Sequence, residues 1–193
     1  MAEITLLDGG MGQELLRRSG NRPTPLWSTQ VMADHPGLVA EVHADYRTAG
    51  ALTAGKPVWV ALTVDDNNGR FLRSGEPLSD ALPYLDAAYA VLANCAAPEA
   101  IADAVPVLAD AGKPFGAYAN AFTQISGEFL KDKPTVDALQ TRRDLDPDAD
   151  ADARFAMRWI DQGATIVGGC CEVGPAHIAV LAKAISAAGH RIV

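Results

Sequence analysis

The residues best suited to chemistry in this chain are its three cysteines, Cys95, Cys170 and Cys171. Cys170 and Cys171 are adjacent and follow the run Ile166-Val-Gly-Gly169, while Cys95 closes Tyr89-Ala-Val-Leu-Ala-Asn-Cys95. Each therefore sits where a short apolar run finishes. Three thiolates around one vacant position is the arrangement of a catalytic zinc, whereas a closed structural site uses four protein ligands. A Zn²⁺ site formed by Cys95, Cys170 and Cys171 is the expectation. Taken singly, the cysteines have plainer readings: Cys95 as a buried core thiol, and the pair as a strained disulfide or a coincidence of neighbours. Side chains alternate faces along a strand, so Cys170 and Cys171 share one metal only if the strand ends there. Gly168-Gly169 supplies the backbone freedom for that. His35, His43, His177 and His190 are scattered over helices or their approaches and read as surface or capping residues, not ligands.

A second stretch with chemical potential is Asp8-Gly-Gly-Met-Gly12, directly after the apolar run Ile4 to Leu7. Gly9 and Gly10 let the backbone turn sharply and present bare N–H groups to a ligand. The short helix predicted from Gln13 to Arg17 would favour a carboxylate near residues 9 to 12. An ordinary strand-to-helix turn is the alternative.

The elements that must position these groups alternate strand and helix. Strands are predicted near residues 4, 57, 89, 115 and 165. Lys56 to Val64 is nearly continuously apolar, which predicts a strand covered on both faces. Leu38 to Ala49 is an amphipathic helix with Leu38, Val39, Val42 and Tyr46 on one face and Gly50 as its cap. Ser79 is the expected cap of a helix through Leu82, Leu85 and Ala88, and Pro98 opens another that runs to about Ala111. A weak helical segment lies around Thr135 to Thr141, a stronger one at Asp148 to Gln162, and Ile178 to Ala188 closes the chain. Alternating βα units imply a parallel sheet, with the active site at the strand C-termini. That is where the cysteines and Gly9-Gly10 fall.

The bulk composition agrees. With 193 residues, 49% hydrophobic and 21% charged, one domain spanning 1–193 has a sizeable core. A net charge of -8 argues against a nucleic-acid or anionic-membrane partner. No apolar run reaches the roughly 18 residues of a membrane span, and the N-terminus lacks a signal pattern. An odd number of cysteines fits a reducing cytoplasm better than a disulfide framework. An aldolase or phosphate-binding isomerase is disfavoured. No strand-end lysine suits a Schiff base, and the late glycines run straight into the cysteines.

Together Leu6-Leu-Asp-Gly-Gly-Met-Gly-Gln-Glu-Leu15, Asn94-Cys95 and Gly168-Gly-Cys-Cys171 resemble the homocysteine S-methyltransferase family, as do Pro57 to Ala81 and Ile166 to Pro175. The resemblance implies a zinc-dependent (β/α)₈ TIM-type barrel that methylates homocysteine to methionine. It makes Cys95, Cys170 and Cys171 the zinc ligands. Asp8 and Gly9 match positions that hold the amino-acid end of homocysteine, and Tyr118-Ala-Asn120 matches a strand end lining the pocket. No further catalytic residue is implied beyond the zinc site. Zinc coordination would deprotonate the substrate thiol, and with all three cysteines on the metal the methyl passes directly from donor to acceptor. The absence of a folate or cobalamin module favours a small sulfonium such as S-methylmethionine.

The chain departs from the family in length. An eight-strand barrel takes about 250 residues, so a chain with about five of eight strands lacks about three βα units. The repeated Ala-Gly at 49–50 and 54–55 puts the join near 50–54. Such a barrel is incomplete, with open edges prone to self-association. The competing reading is a catalytically impaired zinc-binding remnant of the same family.

Overall fold

The computed structural model describes residues 2–20, 31, 34–51, 59–86, 88–122 and 151–193. Its strands are β1 (Glu3–Leu6), β2 (Trp59–Thr63), β3 (Ala90–Asn94), β4 (Phe115–Ala119), β5 (Ile166–Gly169) and β6 (Arg191–Ile192). Its α-helices are α1 (Met11–Ser19), α2 (Pro36–Ala49), α3 (Pro98–Ala109), α4 (Ala151–Asp161) and α5 (Pro175–Ala187). The sheet order is β2-β3-β4-β5-β1-β6 and every pairing is parallel. This is the expected α/β barrel architecture in incomplete, open form.

Register gives the two faces of the sheet separate duties. Leu62, Ala93, Ala117, Val167 and Leu6 line up across five strands and belong to the main core beneath the helices. Leu108 of α3, Trp159 of α4 and Leu181 of α5 fill that core from the helix side. Burying each such side chain is worth about 1.5–3 kcal/mol before entropy is subtracted. On the opposite face Ala90, Leu92 and Ile166 form a smaller cluster with Leu7, Trp59 and Tyr118. A complete barrel would enclose that face as its interior.

Several expectations are corrected. Among the described residues the sheet has six strands, one more than the five expected. β6 was invisible because its two residues include an exposed arginine and carry no apolar run. It pairs with β1 through Glu3↔Arg191 and Ile4↔Ile192. β2 is not covered on both faces: it lies at the sheet edge and is only half-buried. The helix expected from Ser79 to Ala88 is a 3₁₀ helix, Leu78–Tyr84, capped by Pro77. Pro83 lies inside it, where an α-helix would lose an N–H and clash with the preceding turn. Gly50 does end α2, at φ 114, with its N–H donated to the Arg47 carbonyl. The segment around Thr135 to Thr141 and residues 52–54 of the expected join lie outside the described residues. No helix among the described residues is long and apolar enough to cross a membrane.

Candidate metal centre and its cavity

β4 is the template that brings the cysteines together, because it lies between the strands that carry them. The Cys95 N–H, just past β3, donates to the Tyr118 carbonyl at 3.1 Å. The Cys170 N–H, just past β5, donates to the Ala119 carbonyl at 2.7 Å, and the Ala121 N–H returns to the Cys171 carbonyl at 2.9 Å. Both strand ends are thus pinned to four consecutive residues, 118–121.

The backbone then leaves regular strand geometry so that the sulfurs converge. Cys95 has φ 51 and Glu172, next to Cys171, has φ 66. Left-handed backbone costs a non-glycine residue about 1–2 kcal/mol, so neighbouring contacts must hold it. At Glu172 the Gln13 side chain does so, accepting the Glu172 N–H and donating to its carboxylate. At Cys95 the carbonyl accepts a hydrogen bond from Arg73 Nη2 at 3.0 Å.

Cys95 Sγ lies 3.7 Å from Cys171 Sγ, and Cys170 Sγ lies 3.9 Å from Cys171 Sγ. All three sulfurs fall within 4.8 Å of one another. Zinc–sulfur bonds of about 2.3 Å in a tetrahedron put ligand sulfurs about 3.8 Å apart. The triangle fits that spacing. A disulfide needs about 2.05 Å, and all three cysteines are free.

The three thiols perturb one another strongly at this separation. S–H donation from Cys170 and Cys171 lowers the Cys95 thiol to about 3, against the opposing effect of burial and with help from the Arg73 charge. Cys170 is held far above the usual thiol range by its interactions with the Cys171 and Cys95 sulfurs and by burial. Cys171 accepts from Cys170, which lowers it, but its donation to Cys95 and its burial prevail and raise it to about 12. A divalent metal held by all three sulfurs would displace the remaining thiol protons.

Beside the triangle lies a cavity of about 450 Å³. Its walls are Leu7 to Gln13, Trp59 and Ala61 of β2, Leu92 of β3, Tyr118 of β4, and Gly169 to Cys171. Burial raises the Asp8 carboxyl above its ordinary range, against an opposing pull from His43 and its own backbone hydrogen bond. Tyr118 is pushed up to about 12, first by burial and then by the neighbouring cysteine sulfurs, so its phenol stays neutral.

Of the expected site residues, Cys95, Cys170 and Cys171 converge, and Asp8, Gly9, Gly10 and Tyr118 line the adjoining cavity. Gly10 does not present a bare N–H: it donates to the Val173 carbonyl at 3.0 Å. The glycine pair instead permits close approach, since a Cβ on Gly9 would fall 1.9 Å from the Val173 carbonyl oxygen. Asn120 is not among the cavity walls. It is buried, its Oδ1 accepts the Phe122 N–H at 3.0 Å, and its Nδ2 has no partner among the described residues. His177 caps α5 as expected, accepting the Gly174 N–H on Nδ1 at 3.1 Å. Trp59, Gln13, Asp66 and Arg73 were not anticipated. Gln13 lay inside the Leu6 to Leu15 stretch and Trp59, Asp66 and Arg73 inside the Pro57 to Ala81 stretch already singled out, but no spacing distinguished them from their neighbours.

The family profile described as homocysteine S-methyltransferase matches this chain in two segments, 5–55 and 51–185. A homocysteine S-methyltransferase of Escherichia coli is 48% identical over 52 residues, 27% of this chain and 17% of that protein. The homocysteine S-methyltransferase YbgG of Bacillus subtilis is 42% identical over 48 residues, 25% of this chain and 15% of that protein. A selenocysteine Se-methyltransferase of Brassica oleracea var. italica is 41% identical over 46 residues, 24% of this chain and 13% of that protein. The matched stretches thus span well under two thirds of these relatives. In three dimensions the chain resembles the metallated form of the E. coli homocysteine methyltransferase MmuM. The TM-score is 0.68 at 19% identity, covering 94% of this chain and 96% of that one. That likeness speaks to the fold.

Proposed function

The chain belongs to the homocysteine S-methyltransferase family, and from that premise we propose that it transfers a methyl group from a small donor to the homocysteine thiol, giving methionine. The observation that carries this reading is the triangle of three sulfurs, with edges of 3.7 and 3.9 Å, opening onto the cavity beside Asp8. Cys95, Cys170 and Cys171 would hold Zn²⁺ and leave one coordination position toward that cavity. Zinc so bound supplies the Lewis acidity that deprotonates a substrate thiol at neutral pH, where a free thiol near 8.5 is mostly protonated.

The chain's own residues then bind and orient. The Asp8 carboxylate, burdened by burial, gains most from an ammonium group, which the amino end of homocysteine provides. Gly9 lets the Asp8 segment lie against the Val173 carbonyl and so sets its distance from the cysteine turn. Trp59 and Tyr118 offer aromatic surface that excludes water and attracts a cationic methyl donor. This favours a sulfonium such as S-methylmethionine over an anionic folate. No side chain is needed as a methyl carrier, because every cysteine is a metal ligand. Such a thiol set belongs in the reducing cytoplasm.

The single domain 1–193 is, in this reading, a barrel from which about three βα units have been lost near residues 50–54. Two observations support the join. The matched family segments meet at 51–55. Moreover β1 and β2, consecutive in sequence, are separated in the sheet by β3, β4 and β5, whereas consecutive barrel strands are neighbours.

The test is zinc per chain by elemental analysis of a monodisperse sample, followed by methyl transfer from S-methylmethionine to homocysteine. The expected result is one zinc per chain and turnover that disappears in Cys171→Ser. Zinc binding without turnover from any donor would favour the impaired-remnant reading. The same preparation gives the mass in solution, which reports self-association.

A further inference from the structure

Cys95 must hold a left-handed backbone conformation for its sulfur to reach Cys171, and glycine is absent from that turn. Something must over-determine it. The adjoining turn residues are held by the loop that follows β2, which belongs to a different βα unit. Asp66 Oδ1 accepts the Ala97 N–H at 2.7 Å. Arg73 Nη2 donates to the Cys95 carbonyl at 3.0 Å. The two side chains lie against one another, with Arg73 Nη2 3.4 Å from both Asp66 carboxylate oxygens. Asp66 is nearly buried, with 5% of its side chain accessible, and Arg73 is partly covered at 29%.

We infer that Asp66 and Arg73 are positioning residues of the metal centre, clamping the Cys95–Ala97 turn from both sides. This rests on the three-sulfur site binding metal. The geometry is specific. One partner takes the carbonyl of the left-handed residue and the other takes an amide two residues later, so rotation of the turn breaks both bonds together. The loop carrying the clamp is itself fixed. The Asp65 N–H donates to the Phe71 carbonyl at 2.9 Å, and the Arg73 N–H donates to the Thr63 carbonyl at 3.1 Å. Asp65 Oδ1 closes the intervening turn by accepting the Asn67 and Asn68 N–H groups. Gly69 packs so closely on α3 that a Cβ would fall 1.7 Å from the Ala100 carbonyl oxygen. The clamp is therefore attached both to β2 and to the helix that follows Cys95. The Cys170–Cys171 side has its own brace in Gln13 of α1, so each half of the triangle is held by side chains distant in sequence.

Neither Asp66 nor Arg73 is among the cavity walls or within the sulfur triangle. Their effect should fall on metal affinity through geometry. Partners of this kind around metal ligands change affinity by about 10–100-fold.

The experiment compares wild type with Asp66→Ala, Asp66→Asn and Arg73→Met in the full chain. Zn²⁺ affinity is measured by chelator competition, Co²⁺ loading by the thiolate charge-transfer band, and melting is measured on the metal-free proteins. Asp66→Ala and Arg73→Met are expected to weaken zinc binding about 10–100-fold and to alter the cobalt band. Asp66→Asn, which keeps the acceptor for Ala97, should recover part of that loss. A general structural role would lower the metal-free melting temperature without this rank order. Affinity and cobalt spectra equal to wild type in both Asp66→Ala and Arg73→Met overturn the inference. If wild type takes up no metal, the zinc reading fails, and the clamp is read instead from diamide oxidation of the metal-free protein. Cys95–Cys171 cross-linking, mapped by peptide mass, should then fall in the clamp variants; equal yields overturn it.

Discussion

Zinc should staple the two halves of the sheet, and the size of that effect can be worked from the structure. The metal would join Cys95 to Cys171 across 76 residues of chain. Closing a loop of that size removes about 4.5 kcal/mol of unfolded-state entropy in the chain-entropy treatment of a covalent cross-link. Zinc at about 1,000 times its dissociation constant stabilises by about 4 kcal/mol through mass action, a similar size. Each kcal/mol moves the melting temperature of a domain this long by about 2–4 °C, so saturation should raise it by about 8–16 °C. The assay is scanning calorimetry of the chelator-treated protein with and without zinc, beside Cys171→Ser. The variant retains the pinning of the Cys95 and Cys170 N–H groups to β4 but loses the shared corner of the triangle. Its shift should shrink to a small fraction of the wild-type value. A wild-type shift below about 2 °C at saturating zinc, or an undiminished shift in Cys171→Ser, would refute the three-sulfur staple.

Three further outcomes are expected. Asp8→Asn should raise the homocysteine KM by about 10-fold or more, because a hydrogen bond to a charged group is worth about 1.5–3 kcal/mol; a KM unchanged in steady-state kinetics would remove Asp8 from the ammonium role. Gly9→Ala should destabilise by about 2–3 kcal/mol in urea titration, since the new methyl meets the Val173 backbone rather than a flexible side chain. Glu14 gives the acid dependence. Burial raises its carboxyl, but hydrogen bonds and charges from Arg17 and Arg18 prevail, and the net shift is downward from 4.5. A lowered carboxyl stabilises the fold above its unfolded value and loses that contribution as pH falls through the folded one. Glu14→Gln should therefore be less stable than wild type at neutral pH, with the difference closing below about pH 4.5 in pH-dependent melting.

Much of this arrangement was legible in the chain because it is locally encoded. β1, β3, β4 and β5 are compact apolar runs, and three of them end in glycine, cysteine or a small residue that marks the turn. α2 announced itself by the face shared by Val42 and Tyr46 and by Gly50. β6 was hidden because two residues borrow their conformation from pairing with β1 rather than from their own pattern. The 3₁₀ helix was missed because the spacing of Leu82 and Leu85 suits an α-helix until Pro83 is weighed against it. Trp59 read as interior to a sheet because an edge strand and a central one share the same apolar composition.

By itself the sequence determined the inventory of the site: three free thiols, each placed where a strand must end, and the Asp8-Gly9-Gly10 turn at another strand end. Alternating βα units with parallel strands put all of these at one end of a sheet, whatever the strand order. Only the tertiary structure decided that they meet. The strand order sets β4 between β3 and β5, and its carbonyls pin Cys95 and Cys170 so that the three sulfurs lie within 4.8 Å of one another. It also decided what holds them there, since Asp66, Arg73 and Gln13 act through hydrogen bonds across 22 to 159 residues of chain. Such partners leave no periodicity to read. A strand end is dictated by its neighbours in sequence, but a left-handed cysteine is stable only when side chains distant in sequence arrive to hold it.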